Sequence, residues 1–180
     1  MMKKSFVGFA VILAAVTLVS CASSKPAASA PVKADAAYQL PVGNFQKWYD
    51  ADLEGGDTIS FKGGGVDYMF PAGFDPKAYS SLYLVYETSA WVAEPDVLAQ
   101  TGKEDTMQLS VKDWDGEGGR VDLTYPYVEK GTGEVALLDG DQYQALTAKG
   151  IEGFAIAANV WSHNGIARYK VKIISLEARP

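Results

Sequence analysis

Apolar and polar residues alternate at period two through much of the chain beyond residue 38. In Met107-Gln108-Leu109-Ser110-Val111-Lys112-Asp113 the apolar residues fall on one face and the polar ones on the other. That is the signature of a strand buried on one side. Val66-Asp67-Tyr68-Met69-Phe70, Ser81 to Glu87, Phe154-Ala155-Ile156-Ala157 and Arg168 to Ile173 follow the same rule. Phe45–Tyr49, Thr58–Phe61 and Val135–Leu138 are weaker strand candidates. Glycines punctuate the gaps, and Gly63-Gly64-Gly65 reads as a hairpin turn. Asn164-Gly165 stands between the last two long patterns. Asn-Gly is the strongest short hairpin signal, so these two strands are expected to be antiparallel neighbours. A short helical turn is expected near Ala145–Lys149, and no long amphipathic helix is visible. Many short strands separated by turns predict an all-β sandwich or barrel.

The first 37 residues obey a different pattern. Lys3 and Lys4 precede an apolar stretch from Phe6 to Val19, and Leu18-Val19-Ser20-Cys21 closes it. A charged start, a short apolar middle and small residues at the cut form a secretory signal. The apolar run is shorter than the ~20 residues a spanning helix needs. Cys21 is the only cysteine in the chain. A cysteine directly after Leu-x-Ser resembles the bacterial lipobox. That resemblance implies cleavage before Cys21, a diacylglyceryl thioether on its sulfur and an acylated new N-terminus. Two or three acyl chains hold a protein durably, at ~0.8 kcal/mol per buried CH₂. Residues 22–37, ASSKPAASAPVKADAA, then read as a flexible tether. Extended, its 16 residues would reach roughly 50 Å. The expected organisation is a signal over 1–20, the lipidated Cys21 and tether over 21–37, and one domain over 38–180. Ala22 follows the cysteine, so the acidic residue that retains lipoproteins in the inner membrane of enteric bacteria is missing. Display on an outer membrane or cell surface is the expected location.

Removing residues 1–20 takes away two lysines and leaves 14 basic against 22 acidic residues, a formal charge of −8. Such a surface repels phosphate backbones, so nucleic acid is excluded as the expected partner. One cysteine forbids an intramolecular disulfide, although export would permit one.

Several phrases resemble the galactose-binding-like jelly-roll sandwich of many carbohydrate-binding modules. Phe74-Asp75-Pro76-Lys77-Ala78-Tyr79-Ser80-Ser81-Leu82 leads into a long strand, and Met107 to Gly119 runs into an acidic Gly-rich loop. Gly150-Ile151-Glu152-Gly153-Phe154-Ala155-Ile156 comes near the end, and Ile166 to Glu177 closes the pattern. The likeness spans most of residues 45–178 and lies in strand spacing rather than in invariant chemistry. It implies a jelly-roll-like antiparallel β-sandwich and a sugar ligand. Members often carry an acidic residue at the start of the last strand pair, where this chain has Ala167-Arg168-Tyr169.

Four tryptophans and ten tyrosines supply the rings such a ligand would need. A pyranose has an apolar face, and covering ~100 Å² of it at ~25 cal/mol per Å² yields about 2.5 kcal/mol per ring. Trp91, Trp114 and Trp161 fall at or beyond the ends of predicted strands. Trp114 shares a parity with Gln108, Ser110 and Lys112, and Trp161 with Asn159. Trp91, Trp114, Trp161, Gln108 and Asn159 are therefore the ligand-binding candidates. The bland alternative is that the tryptophans fill the sandwich core or its rim, as Trp48 is expected to do.

Asp113, Asp115 and Glu117 alternate along one loop. Calcium takes six to eight oxygens, and alternating acids can supply several. An EF-hand needs Glu at the twelfth position, and Thr124 stands there. A structural calcium in another geometry competes with a solvated acidic turn, and no cofactor is expected. His163, the only histidine, falls in the turn Ser162-His163-Asn164-Gly165. One histidine provides neither a multi-histidine zinc site nor an obvious nucleophile–base pair. The sequence therefore predicts a membrane-anchored envelope lipoprotein that is not an enzyme and binds a ligand, carbohydrate first. A structural or protein-interaction lipoprotein is the alternative.

Overall fold

A computed structural model describes residues 32–48, 51–61, 64–90, 106–114, 120–150, 152–158 and 169–180. Within them the alternating runs become twelve strands: β1 (Tyr38–Leu40), β2 (Phe45–Trp48), β3 (Asp52–Glu54), β4 (Thr58–Phe61), β5 (Gly65–Met69), β6 (Ser81–Ala90), β7 (Thr106–Trp114), β8 (Asp122–Thr124), β9 (Tyr127–Glu129), β10 (Thr132–Leu138), β11 (Gly153–Ala158) and β12 (Tyr169–Arg179). One sheet runs β10-β6-β12-β4-β3, with β1 also on β12; the second runs β2-β5-β11-β7-β8, with β9 also on β7. Every pairing is antiparallel. The fold is an all-β sandwich.

The core lies between the sheets. The first sheet sends in Ile59, Phe61, Leu82, Leu84, Tyr86, Tyr169, Val171 and Ile173. The second answers with Phe45, Val66, Tyr68, Met107, Leu109, Val111, Phe154 and Ile156. Tyr68 stacks on Phe154 at 5.2 Å, and Phe45 meets Tyr68 edge-on at 4.7 Å. Each buried ring removes roughly 150–250 Å² from water, so this seam is a major source of stability. Alternation holds along β7 but breaks in β12. A bulge between Ile173 and Ser175 shifts the register, and the inward set moves from Tyr169, Val171 and Ile173 to Leu176 and Ala178. The extra residue, Ile174, faces outward and is exposed.

Two expected hairpins are corrected. β11 and β12 are not neighbours, because they lie in different sheets. β11 is hydrogen-bonded on both sides, by β5 and β7, and has no free edge to offer β12. Asn164-Gly165 therefore does not join paired neighbours, and its own residues lie outside the described ones. β4 and β5, the strands on either side of the glycine run 63–65, likewise lie in different sheets and are not a hairpin pair. Gly65 opens β5, and a Cβ there would overlap the Ile156 carbonyl on β11.

The helical turn expected near Ala145 is a nine-residue helix, α1 (Gly140–Ala148), which buries Tyr143, Leu146 and Thr147. The Tyr143 hydroxyl donates to the Pro76 carbonyl at 2.7 Å and fastens α1 to the turn Pro76–Ala78. The Asp75 side chain caps that turn by accepting from the Lys77 N–H at 3.0 Å. The Ala34 N–H donates to the Ala78 carbonyl, so the chain already touches the sandwich at Ala34. No helix among the described residues is long and apolar enough to cross a membrane.

Candidate functional site

The two outer faces differ in chemistry. On the first sheet, Arg179 stacks on Tyr83 at 4.0 Å and pairs with Glu134 and Glu177, while Lys170 pairs with Glu54. That face is a lacework of exposed ion pairs. The outer face of the second sheet is built from small residues, rings and hydrogen-bonding groups.

Its geometry follows from β7. Met107, Leu109 and Val111 enter the core, so Gln108, Ser110, Lys112 and Trp114 point outward. Registers then align rows across the sheet. Lys112 stands opposite Ala155, Ala155 opposite Asp67, and Asp67 opposite Gln46. The next row is Ser110, Ala157, Gly65 and Trp48. On the other side, Trp114 faces Gly153, which faces Met69. The β11 lane therefore carries only Gly153, Ala155 and Ala157, a low floor between two walls.

Arg120 bridges the walls. It follows β7 in the chain yet reaches Asp67 on β5, donating from Nε to Oδ1 at 2.9 Å and from Nη2 to Oδ2 at 2.6 Å. This bidentate fork satisfies a carboxylate that is only 5% exposed. Its guanidinium lies 4.2 Å from the Trp48 ring centre and 5.5 Å from that of Trp114. A cation held between two indoles while paired to a carboxylate is fixed by stacking and charge together. To make these contacts the arm crosses the β11 lane, where Ala155 is buried. The Trp114 Nε1 is buried with no hydrogen-bond partner among the described residues.

A polar and aromatic strip continues along β7. Asp122 on β8 accepts from Ser110 and pairs with Lys112, and it also bonds the Tyr125 hydroxyl. Burial opposes the Asp122 charge, but these donors hold its carboxyl below the usual range. The same contact pushes the Tyr125 hydroxyl up. Gln108 Nε2 donates to the Tyr127 hydroxyl at 3.1 Å. Tyr125 and Tyr127 are 47% and 40% exposed, so their rings are offered to solvent beside these groups.

Of the sequence candidates, Gln108 and Trp114 thus share one outer face. Trp91, Trp161 and Asn159 lie outside the described residues, as do Cys21, His163, Asp115 and Glu117. Asp113 has the core parity of β7, and its carboxylate is already engaged. Oδ1 accepts from the Val121 N–H at 2.7 Å and Oδ2 from Lys149 at 2.7 Å. Burial opposes its ionisation, yet Lys149 and the Val121 N–H keep it below the ordinary carboxylate range. Among the described residues, no group of three His, Cys, Asp or Glu could hold a metal ion.

Trp48, expected in the core or at its rim, is outside the core cluster and lies on the outer face under Arg120. The signal was present, since Phe45 points inward and parity sends Trp48 outward. Asp67, Tyr125 and Tyr127 were also missed. Asp67 is the polar beat of its strand's alternation, whereas nothing near Arg120 in sequence announces a partner 53 positions away. Compared with protein-family models, curated proteins and solved structures, the chain matches none.

Proposed function

We propose that this chain is a lipid-anchored protein of a bacterial cell envelope whose sandwich binds carbohydrate, without catalysis, on the outer face of the second sheet. One observation carries the reading. Tyr125 and Tyr127 present exposed rings beside Gln108, Ser110, Lys112 and Asp122. Sugar recognition needs that combination: flat apolar surface for C–H faces, flanked by fixed donors and acceptors for hydroxyls. Two rings at about 2.5 kcal/mol each, less the cost of association, correspond to roughly millimolar to micromolar binding. The sandwich is compatible with a jelly roll, the fold implied by the resemblance to galactose-binding-like modules. The Leu18-Val19-Ser20-Cys21 phrase supports the anchor.

Val121, 60% exposed in the chain just before Tyr125 and Tyr127, favours a second reading. An apolar residue in an exposed aromatic neighbourhood also suits an envelope protein partner. A glycan array probed with the detergent-solubilised full chain separates the two. Retention on defined glycans supports the first reading; no retention on any of them, with the protein folded, favours the second.

A further inference from the structure

Resting on the carbohydrate reading, we infer that the ligand is an uncharged polysaccharide rather than a uronate-bearing, sulfated or phosphorylated one. The chemistry of the cations on this face carries the inference. Arg120 is committed to Asp67 through two hydrogen bonds. Lys112 is committed to Asp122, which Ser110 and Tyr125 also hold. The two cations described on the strip itself, Arg120 and Lys112, are thus each neutralised by a carboxylate.

An anionic chain would need one of these cations and would have to expel its carboxylate. The carboxylate of Asp67 is buried, and leaving it unpaired is strongly unfavourable. The chain beyond residue 20 has a formal charge of −8. An acidic polymer is therefore repelled at long range, and at contact it meets Arg120 and Lys112 already paired. A neutral sugar needs only the hydrogen-bonding capacity that remains on these paired groups, with the Tyr125 and Tyr127 rings as platforms.

The test is affinity electrophoresis of the detergent-solubilised full chain in gels containing neutral polysaccharides (glucans, xylan, mannan, galactan) or acidic ones (polygalacturonate, alginate, a sulfated galactan). Each gel is run at about 0.02 M and about 0.5 M salt, where screening lengths differ severalfold. The expected result is retardation by at least one neutral polymer, unchanged by salt, and none by the acidic set. The doubly substituted Tyr125→Ala, Tyr127→Ala chain is expected to lose that retardation while unfolding at the parental temperature. Retardation by acidic polymers that fades with salt would overturn the inference and leave the carbohydrate reading standing. Retardation that survives the double substitution would overturn it by placing binding elsewhere. No retardation by any polymer would remove the carbohydrate reading as well.

Discussion

Arg120 holds together the outer face of the second sheet. It fills the fork of Asp67 and lies between Trp48 and Trp114. Replacing it with Ala leaves a buried carboxylate without this cation, and breaking a buried pair from one side costs about 3–5 kcal/mol. Lysine keeps the charge but loses the bidentate fork and the planar stack, so Arg120→Lys should recover only part of the loss. Urea unfolding of Arg120→Ala, Asp67→Ala and the double variant measures the coupling; simple additivity would contradict the account. Asp113 and Asp122 test charge in another way. Both are held below the usual carboxylate range when folded. Their stabilisation is therefore complete above the unfolded value of about 3.9 and is lost as pH falls through the lower folded value. Asp113→Asn should lower stability at neutral pH and flatten its decline below pH about 4. Unfolding curves that keep the parental acid slope would argue that Lys149 and the Val121 N–H do not stabilise the charge. At this scale the sequence was partly legible. Gln108 and Trp114 share a parity that needs no structure to read. Arg120 was illegible because its partners sit on β5 and β2, far away in the chain.

Among the elements, β11 is the most constrained. It is paired on both sides and shows only small residues outward. Close approach to β5 is the reason Gly65 cannot carry a side chain, since its Cβ would overlap backbone at Ile156. Backbone cannot swing aside as a side chain can, so Gly65→Ala should cost about 1–3 kcal/mol, as overpacking does. Gly43 in the turn Val42–Asn44 has nothing within 4 Å of such a Cβ, and Gly43→Ala should stay within about 0.5 kcal/mol of the parent. Chemical denaturation of the two variants side by side checks the contrast, and equal midpoints would refute it. Strands were legible where one face is buried and the other is not, as in β7. They were less legible in β12, where the bulge at Ile173–Ser175 changes the inward parity midway. Sheet membership was illegible. Asn164-Gly165 carries local turn chemistry, but whether the next strand pairs with the last depends on edges filled by β5 and β7.

The whole molecule combines a two-sheet sandwich with a sequence preface that reads as an export and lipidation signal. The sheet edges lie against each other at two places, β9 beside β10 and β3 beside β2, which shields strands from pairing with other chains. If Cys21 carries the acyl chains, Cys21→Ser removes the acceptor sulfur and should release the protein into the aqueous phase. Detergent phase partitioning of cells expressing each form reads this directly, and a variant that still partitions fully into detergent would contradict the anchor. The central claim is that the strip formed by β7, β8 and β9 recognises carbohydrate. Tyr127→Ala tests it most directly, because the ring is exposed and its loss should leave folding intact. Affinity for the polysaccharide that binds the parent, measured by calorimetry beside thermal unfolding, should fall about thirtyfold, the equivalent of about 2 kcal/mol, with the melting temperature unchanged. Undiminished affinity in a folded Tyr127→Ala chain would contradict the account.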